Sequence, residues 1–140
     1  MKENIQTHKS FTDKWEQNRS LAFTETLSED SEIFNWILTR NGFTSVDMFS
    51  KWLTRRNRIL DAGCGNGRIT ALLDRYAPES TQIVGIDIAA AHVAQENMAD
   101  NPRTEFHQAD LLGDLANLGQ FDLIYCQEVY ITHRIQRAHF

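Results

Sequence analysis

The chain has 140 residues, a formal net charge of -5 and 41% hydrophobic residues. This length corresponds to one domain with a buried core, and the acidic balance argues against a nucleic-acid backbone as the main partner. No secretion signal or membrane-spanning stretch is recognisable, so we expect a cytoplasmic protein. Neither Cys64 nor Cys126 has metal-site spacing, so we expect no metal and reduced thiols.

The first aromatic side chains lie among charged residues. Phe11 and Trp15 are four positions apart, which is compatible with one face of a short helix. Two interpretations remain open for this segment. It packs on the domain as an ordinary helix, or it forms a lid over a ligand cleft.

Two further helices are predicted before residue 57. Ser28 is expected to cap a helix over residues 29–40, which ends at Asn41. A second helix is expected to begin at Ser45. Helical spacing of the apolar residues favours a place in the core over a cofactor-binding face. These residues are Ile33, Phe34, Trp36, Ile37, Leu38, Val46, Met48, Phe49, Trp52 and Leu53.

From residue 57 the pattern alternates between short apolar strands and helices. Strands are predicted over residues 58–61, 82–87, 104–108 and 121–126, helices over 66–76 and 89–99, and a loop or short helix over 111–118. This alternation predicts an α/β fold with βαβ units, a parallel sheet and right-handed crossovers.

The first strand enters a glycine-rich turn that opens a helix. Gly63, Gly65 and Gly67 stand at alternate positions, which allows positive φ angles and lets a ligand lie against the backbone. Arg68 stands where the dinucleotide fingerprint requires its third glycine, and no Lys-Ser/Thr pair of a P-loop follows. A ligand with a nucleoside and a zwitterionic end is therefore favoured over a pyrophosphate.

Three acids stand at or just after the ends of successive strands. Ligands of open parallel sheets bind beyond the carboxyl ends of the strands, so Asp61, Asp87 and Asp110 are expected at one rim. An acid in the position of Asp87 can accept two hydrogen bonds from a ribose, and Asp110 can reach an adenine amine. Ile88 and Leu111 directly follow two of the acids and are candidates to enclose a base.

Four motifs in chain order resemble those of the class I S-adenosylmethionine-dependent methyltransferases: ILDAGCGNGRIT, VGIDIA, HQADL and FDLIYCQEV. The resemblance covers roughly residues 57–133. It implies a Rossmann-like, doubly wound parallel sheet with four strands, in the order 3-2-1-4, of the usual seven. It also implies an N-terminal helical cap over residues 1–56 and an incomplete S-adenosylmethionine-binding methyltransferase domain over 57–140.

The resemblance implies S-adenosyl-L-methionine as cofactor and methyl transfer by direct attack of an acceptor on the sulfonium methyl. The implied cofactor-binding residues are Asp61, Ala62, Gly63, Cys64, Gly65, Gly67, Asp87, Ile88, Asp110, Leu111 and Gln127. Gln127 and Glu128 would face the acceptor. Glu128 and His133 are the candidate catalytic residues, although either is also compatible with a surface position. His133 is included because imidazole titrates near neutrality.

The chain stops soon after its fourth strand, so we expect a C-terminally truncated methyltransferase. The strand FDLIYC is apolar on both faces, and its open edge is an aggregation hazard or a site of self-association. The main hypothesis is an enzyme that methylates a small molecule. The alternatives are a catalytically inactive donor-binding or edge-pairing module and, less favoured because of Arg68, a nicotinamide-dependent oxidoreductase. Apart from the acidic balance, which disfavours RNA, nothing in the sequence separates small-molecule from protein or RNA acceptors.

Overall fold

A computed structural model describes residues 19, 20 and 22–126 of the chain. In this part, helices come first and then alternate with strands. The elements are α1 (Phe23–Leu27), α2 (Glu32–Arg40), α3 (Val46–Leu53), β1 (Arg58–Ala62), α4 (Arg68–Tyr76), β2 (Gln82–Asp87), α5 (Ala91–Asn97), β3 (Thr104–Gln108), a short 3-10 helix (Ala116–Leu118) and β4 (Leu123–Cys126).

The four strands form one parallel sheet in the order β3-β2-β1-β4. In the central pair, Ile59 lies opposite Ile83, and Asp61 lies opposite Gly85. On the other side of β1, Asp61 lies opposite Tyr125. The predicted fold class and strand order are confirmed. All carboxyl ends of the strands therefore meet at one edge of the sheet.

The two faces of the sheet are covered differently. One face packs against α2, α3 and α4 through a helix-side core of Phe34, Ile37, Leu38, Phe49, Leu53, Ile59, Ile69, Leu72, Leu73, Ile83 and Tyr125. The other face carries a loop-side core of Leu60, Ala62, Val84 and Ile86. Leu111, Leu115, Leu118 and Phe121, from the connection between β3 and β4, pack against this second core.

The cap of α2 differs from the prediction. Ser31 caps this helix, since its hydroxyl accepts a hydrogen bond from the backbone N–H of Phe34 at 3.0 Å. Ser28, the predicted cap, instead ends α1, a helix that the sequence did not predict, and its N–H donates to Glu25. Both serines precede acidic residues, so local sequence alone does not separate them. The predicted cap of α3 is correct: Ser45 accepts from the N–H of Met48.

Two residues predicted for the core are exposed. Trp36 is 44% exposed and Met48 is 46% exposed. In α2, the buried residues Phe34, Ile37 and Leu38 occupy the face that packs on the sheet, which leaves the Trp36 ring outside. The guanidinium of Arg40 lies 5.1 Å from the centre of that ring, so a cation–π contact covers part of it.

Helix α4 begins later and α5 is shorter than predicted. The glycine turn continues through Gly67, whose positive φ of 90° makes Arg68 the first helical residue. Helix α5 covers Ala91–Asn97 instead of the predicted 89–99. The strands β2 and β3 have the predicted bounds, whereas β4 begins at Leu123.

Gly85 allows β3 to pack closely on β2. A Cβ atom at this position would come 2.7 Å from two ring carbons of Phe106 and 3.1 Å from Cβ of Cys64. We expect Gly85→Ala to lower the free energy of unfolding by about 1–3 kcal/mol through overpacking. Urea denaturation measures this loss.

A double-mutant cycle separates the clash from other effects. In a Phe106→Val background, the smaller side chain leaves room for the added methyl group of Gly85→Ala. The substitution should therefore lower the free energy of unfolding less than it does in the wild type. Equal losses in the two backgrounds would show that the close approach of Phe106 is not the cause.

Candidate functional site

The glycine-rich turn connects the end of β1 to the start of α4. Gly63, Gly65 and Gly67 have φ angles of 77°, 53° and 90°, a region that favours glycine over other residues. The backbone N–H of Gly63 donates to the carbonyl oxygen of Ile86 at 2.8 Å, which anchors the turn to the end of β2. The turn thus brings bare backbone to the carboxyl edge of the sheet.

The carboxylate of Asp87 joins this turn to the start of α5. Its Oδ2 atom accepts a hydrogen bond from the N–H of Gly65 at 3.0 Å. Its Oδ1 atom accepts from the N–H groups of Ala89 and Ala90, each at 2.9 Å. An ionised carboxylate offers about four acceptor positions, so Oδ2 retains capacity for a further donor.

Asp61 is a buried acid beneath the glycine turn. Its residue is 2% exposed, and its Oδ2 atom accepts a hydrogen bond from the Thr70 hydroxyl at 2.6 Å. Burial raises the pKa of Asp61 to about 7; the charge of Asp87 adds to this shift, while Thr70 and the charge of Arg68 oppose it. The backbone N–H of Thr70 also interacts with this carboxylate, and Thr70 is its only hydrogen-bond donor among the described residues. The acid therefore has unused capacity for a cationic partner.

Cys64 contributes packing within the turn. It is 4% exposed, and burial raises the pKa of its thiol, an effect to which the charges of Asp61 and Asp87 add. The thiol is therefore neutral at physiological pH and not nucleophilic. No disulfide joins Cys64 and Cys126.

The third acid, Asp110, is exposed just beyond β3. Its Oδ1 atom accepts a hydrogen bond from the N–H of Leu112 at 2.9 Å, which shapes the turn. Ile88 is 43% exposed at the neighbouring strand end, and Gln108 Nε2 donates to its carbonyl oxygen at 3.0 Å. Leu111 is half-buried and packs against the loop-side core. An acid and an apolar side chain thus border the same stretch of rim.

Sequence reasoning missed Thr70 and Tyr125, which accompany Asp61. The hydroxyl of Tyr125 accepts a hydrogen bond from Asn41 Nδ2 at 2.8 Å, and burial raises its pKa well above the usual range. Tyr125 lies opposite Asp61 in the sheet. The strand register places Tyr125 beside Asp61, whereas the turn into α4 brings Thr70 to it, and no local pattern indicates either neighbour. Three candidates, Gln127, Glu128 and His133, lie outside the described residues.

The described part of the chain contains neither a candidate membrane span nor a candidate metal site. No helix there combines the length and apolar character that crossing a bilayer requires. No group of three or more His, Cys, Asp or Glu side chains is arranged to hold a metal ion there.

The family described as "Methyltransferase domain" matches residues 59–140, more than half of the chain. The chain belongs to this methyltransferase family. The match begins at β1 and includes the glycine turn and all three rim acids. It confirms the resemblance to the class I S-adenosylmethionine-dependent enzymes, and the cofactor is S-adenosylmethionine.

Individual relatives resemble this methyltransferase chain over part of their length. Trans-aconitate 2-methyltransferase of Deinococcus radiodurans is 38% identical over 69 residues, which are 49% of this chain and 25% of the relative. Juvenile hormone acid O-methyltransferase of Bombyx mori is 36% identical over 90 residues, which are 61% of this chain and 32% of the relative. The crystal structure of EvdMO1 superimposes with a TM-score of 0.51 at 28% identity, over 58% of this chain and 20% of that chain. The chain thus spans about a fifth to a third of the length of the curated relatives that it matches.

The described residues fit the cofactor of this methyltransferase family. Asp61 offers a buried carboxylate with remaining acceptor capacity, and an ammonium group complements it. The glycine turn offers backbone without side chains, and Asp87 retains acceptor capacity for a hydroxyl group. Exposed Ile88 offers apolar surface for a base. These features lie along the carboxyl edge of one parallel sheet, where an extended nucleoside is expected.

Proposed function

We propose that this chain provides the cofactor-binding part of a cytoplasmic methyltransferase that methylates a small molecule. The observation that carries the proposal is the buried Asp61 carboxylate beneath a turn of positive-φ glycines, with Asp87 at the next strand end. The region over residues 57–140 would hold the cofactor. Residues 1–56 would form the helical cap.

The methionine part of the cofactor would lie along the glycine turn. The backbone of Gly63, Gly65 and Gly67 would approach it, with Ala62 and Cys64 completing the wall. Asp61 would orient the turn and attract the amino group, partly through water. This assignment is supported by the burial of Asp61 and by the acceptor capacity that its carboxylate retains beside Thr70.

The nucleoside part would continue across the next two strand ends. Asp87 would accept hydrogen bonds from the ribose hydroxyls, and Asp110 would accept one from the adenine amine. Ile88 and Leu111 would contact the base. The exposure of Ile88 supports this assignment, because a large apolar side chain at the rim offers surface that a flat base can cover.

The bound cofactor supplies a methyl group activated by its sulfonium centre. The chain would contribute positioning and the exclusion of water, which raise the effective concentration of the reacting atoms. Gln127 would line the donor, and Glu128 or His133 would accept a proton when the acceptor requires a base.

A small-molecule acceptor is favoured by the names of two relatives and by the net charge of the chain. The relatives from Deinococcus radiodurans and Bombyx mori are named for trans-aconitate and juvenile hormone acid. Other relatives are named for ribosomal protein L11 and for a tRNA. The net charge of -5 disfavours the tRNA class, because binding to a nucleic-acid backbone depends on clustered cations.

Calorimetric titration with S-adenosylhomocysteine tests cofactor binding directly. We expect one site per chain with micromolar affinity, and no heat with NADH under the same conditions. Circular dichroism recorded on the same sample verifies that the protein is folded. A folded protein that gives no heat with S-adenosylhomocysteine would contradict the proposal.

A second candidate function is an edge-pairing module without catalytic activity. It is favoured by the position of β4, which pairs with β1 alone within the described part of the sheet. Size-exclusion chromatography with light scattering separates the two candidates. A stable dimer that does not bind S-adenosylhomocysteine supports pairing, whereas a monomer that binds it supports the methyltransferase.

A further inference from the structure

The backbone carbonyl of Arg19 connects three separate parts of the chain. It accepts hydrogen bonds from Asn97 Nδ2 at 2.8 Å and from Asn66 Nδ2 at 3.3 Å. Asn97 Nδ2 also donates to the backbone carbonyl of Asn66 at 3.0 Å. The segment before α1, the glycine turn and the last residue of α5 are thereby joined. We call these three residues, Arg19, Asn66 and Asn97, the amide clasp.

Asn66 connects the amide clasp to the glycine turn. Its residue is fully buried, and its Oδ1 atom accepts a hydrogen bond from the N–H of Arg68, the first residue of α4. The Arg19 carbonyl selects the Nδ2 end of this amide, so the Oδ1 end faces α4. The orientation of a buried amide between Gly65 and Gly67 therefore depends on contacts outside the turn.

Helix α5 packs against the same turn without spare room. A Cβ atom on Gly67 would come 3.2 Å from Cβ of Ala94 and 3.5 Å from Cγ of Met98. Asn97 follows Ala94 by three positions, so the two share one face of the helix. Asn97 therefore forms its hydrogen bonds next to the close contact between Gly67 and Ala94. Both the contact and the hydrogen bonds resist a displacement of the turn.

The charged end of Arg19 contributes little to this arrangement. Its guanidinium pairs with Glu96, but the two side chains are 36% and 65% exposed. Exposed ion pairs of this kind contribute little to stability because water and salt screen them. The backbone carbonyl, not the side chain, is the part of Arg19 that reaches the turn.

We propose that Asn97 is a positioning residue for the cofactor-binding turn. It holds the backbone of Asn66 against the segment before α1, and so keeps Gly65 and Gly67 in the conformation that meets the ligand. The consequence for ligand affinity rests on the proposed function. The consequence for the rigidity of the turn does not depend on any ligand.

Three single variants test the proposal. Asn97→Ala removes both amide hydrogen bonds. Arg19→Ala removes the ion pair but keeps the backbone carbonyl. Gln95→Ala is the matched control, since Gln95 is an exposed amide on the same helix whose side chain makes no hydrogen bond within the described residues.

Amide hydrogen exchange over residues 63–68 and calorimetric titration with S-adenosylhomocysteine are measured for each variant. We expect Asn97→Ala to speed exchange in the turn about tenfold and to weaken binding three- to tenfold, since each lost hydrogen bond contributes about 0.5–1.5 kcal/mol. Exchange in β3 should be unchanged. Arg19→Ala and Gln95→Ala should stay within about twofold of the wild type in both measurements.

The outcomes separate the possible failures. If Asn97→Ala behaves like Gln95→Ala in exchange and binding, the proposal is overturned. It is also overturned if Arg19→Ala has as large an effect, because the side chain of Arg19 rather than the amide of Asn97 would then be responsible. If Asn97→Ala speeds exchange throughout the sheet, Asn97→Gln, which keeps the amide, decides: restored protection in the turn supports the proposal, and its absence refutes it. If the wild type does not bind S-adenosylhomocysteine, the proposed function fails, and the exchange measurements still decide the role of Asn97.

Discussion

Asp87→Asn is expected to weaken the binding of S-adenosylhomocysteine by about 10- to 150-fold. The oxygen of the new amide can still accept from Ala89 and Ala90, so the start of α5 is kept. The amide nitrogen, however, cannot accept from the N–H of Gly65 or from a ribose hydroxyl. A hydrogen bond to a charged group contributes about 1.5–3 kcal/mol, so loss of the ribose contact alone amounts to about 10- to 150-fold. The Gly65 hydrogen bond is present with and without ligand, so its loss affects mainly the shape of the turn.

Asp100→Asn serves as the control for Asp87→Asn. Asp100 is an exposed acid that follows α5 and makes no hydrogen bond within the described ranges. Asp100→Asn removes the same charge as Asp87→Asn, so an effect of net charge alone would appear in both variants. Isothermal titration at several salt concentrations measures the comparison. Similar affinities for the two variants would exclude Asp87 as a direct ligand.

Asp61→Asn is expected to stabilise the protein at pH 8 and at the same time to weaken S-adenosylhomocysteine binding about 10- to 100-fold. The substitution removes a buried charge, which the native state otherwise holds away from water. It also removes the charged partner that we propose for the amino group of the ligand. An opposite change in stability and affinity distinguishes a binding residue from a purely structural one.

The pH dependence of stability follows from the raised pKa of Asp61. This carboxyl loses its proton near pH 7 in the folded protein and near pH 3.8 when unfolded. Between these values the folded state binds more protons, so the free energy of unfolding falls as pH rises, by up to about 4 kcal/mol. Above about pH 7 the titration of Asp61 lowers the free energy of unfolding no further. Urea denaturation from pH 4 to 8 should show this fall in the wild type and not in Asp61→Asn.

Ligand affinity should change with pH in the opposite direction. Only the ionised form of Asp61 attracts an ammonium group, so the affinity for S-adenosylhomocysteine should rise as pH increases through about 7. Asp61→Asn should show a flat profile over the same range. If both proteins give the same profile, another group controls the titration, and Asp61 does not contact the amino group.

Local patterns predicted the strands better than the helix ends. β2 and β3 have the predicted bounds, because each is a short apolar or β-branched run between turn residues. The prediction of Ser28 as the N-cap was wrong, since Ser28 is the C-cap of α1 and Ser31 is the N-cap of α2. Both serines have cap chemistry, and the neighbouring helix decides between them.

Positions that depend on packing were not predictable. Trp36 and Met48 follow the helical pattern, but α2 and α3 bury the faces that carry Phe34 and Phe49. Within the candidate site, the sequence indicated acids and glycines because their type and spacing are unusual. Thr70 escaped prediction because only the folded turn brings its hydroxyl to Asp61, and hydroxyls in a helix are common.

The strand order β3-β2-β1-β4 also constrains how the chain is made. β2, which pairs with one side of β1, is synthesised soon after it. β4, which pairs with the other side, comes later: Leu123 lies opposite Ile59 but follows it by roughly 60 residues. At ribosomal rates of roughly 5–20 residues per second, several seconds separate the two events. During that time the central strand has an open edge beside apolar side chains. Factors that shield nascent chains should therefore raise the yield of folded protein more than factors that act after release.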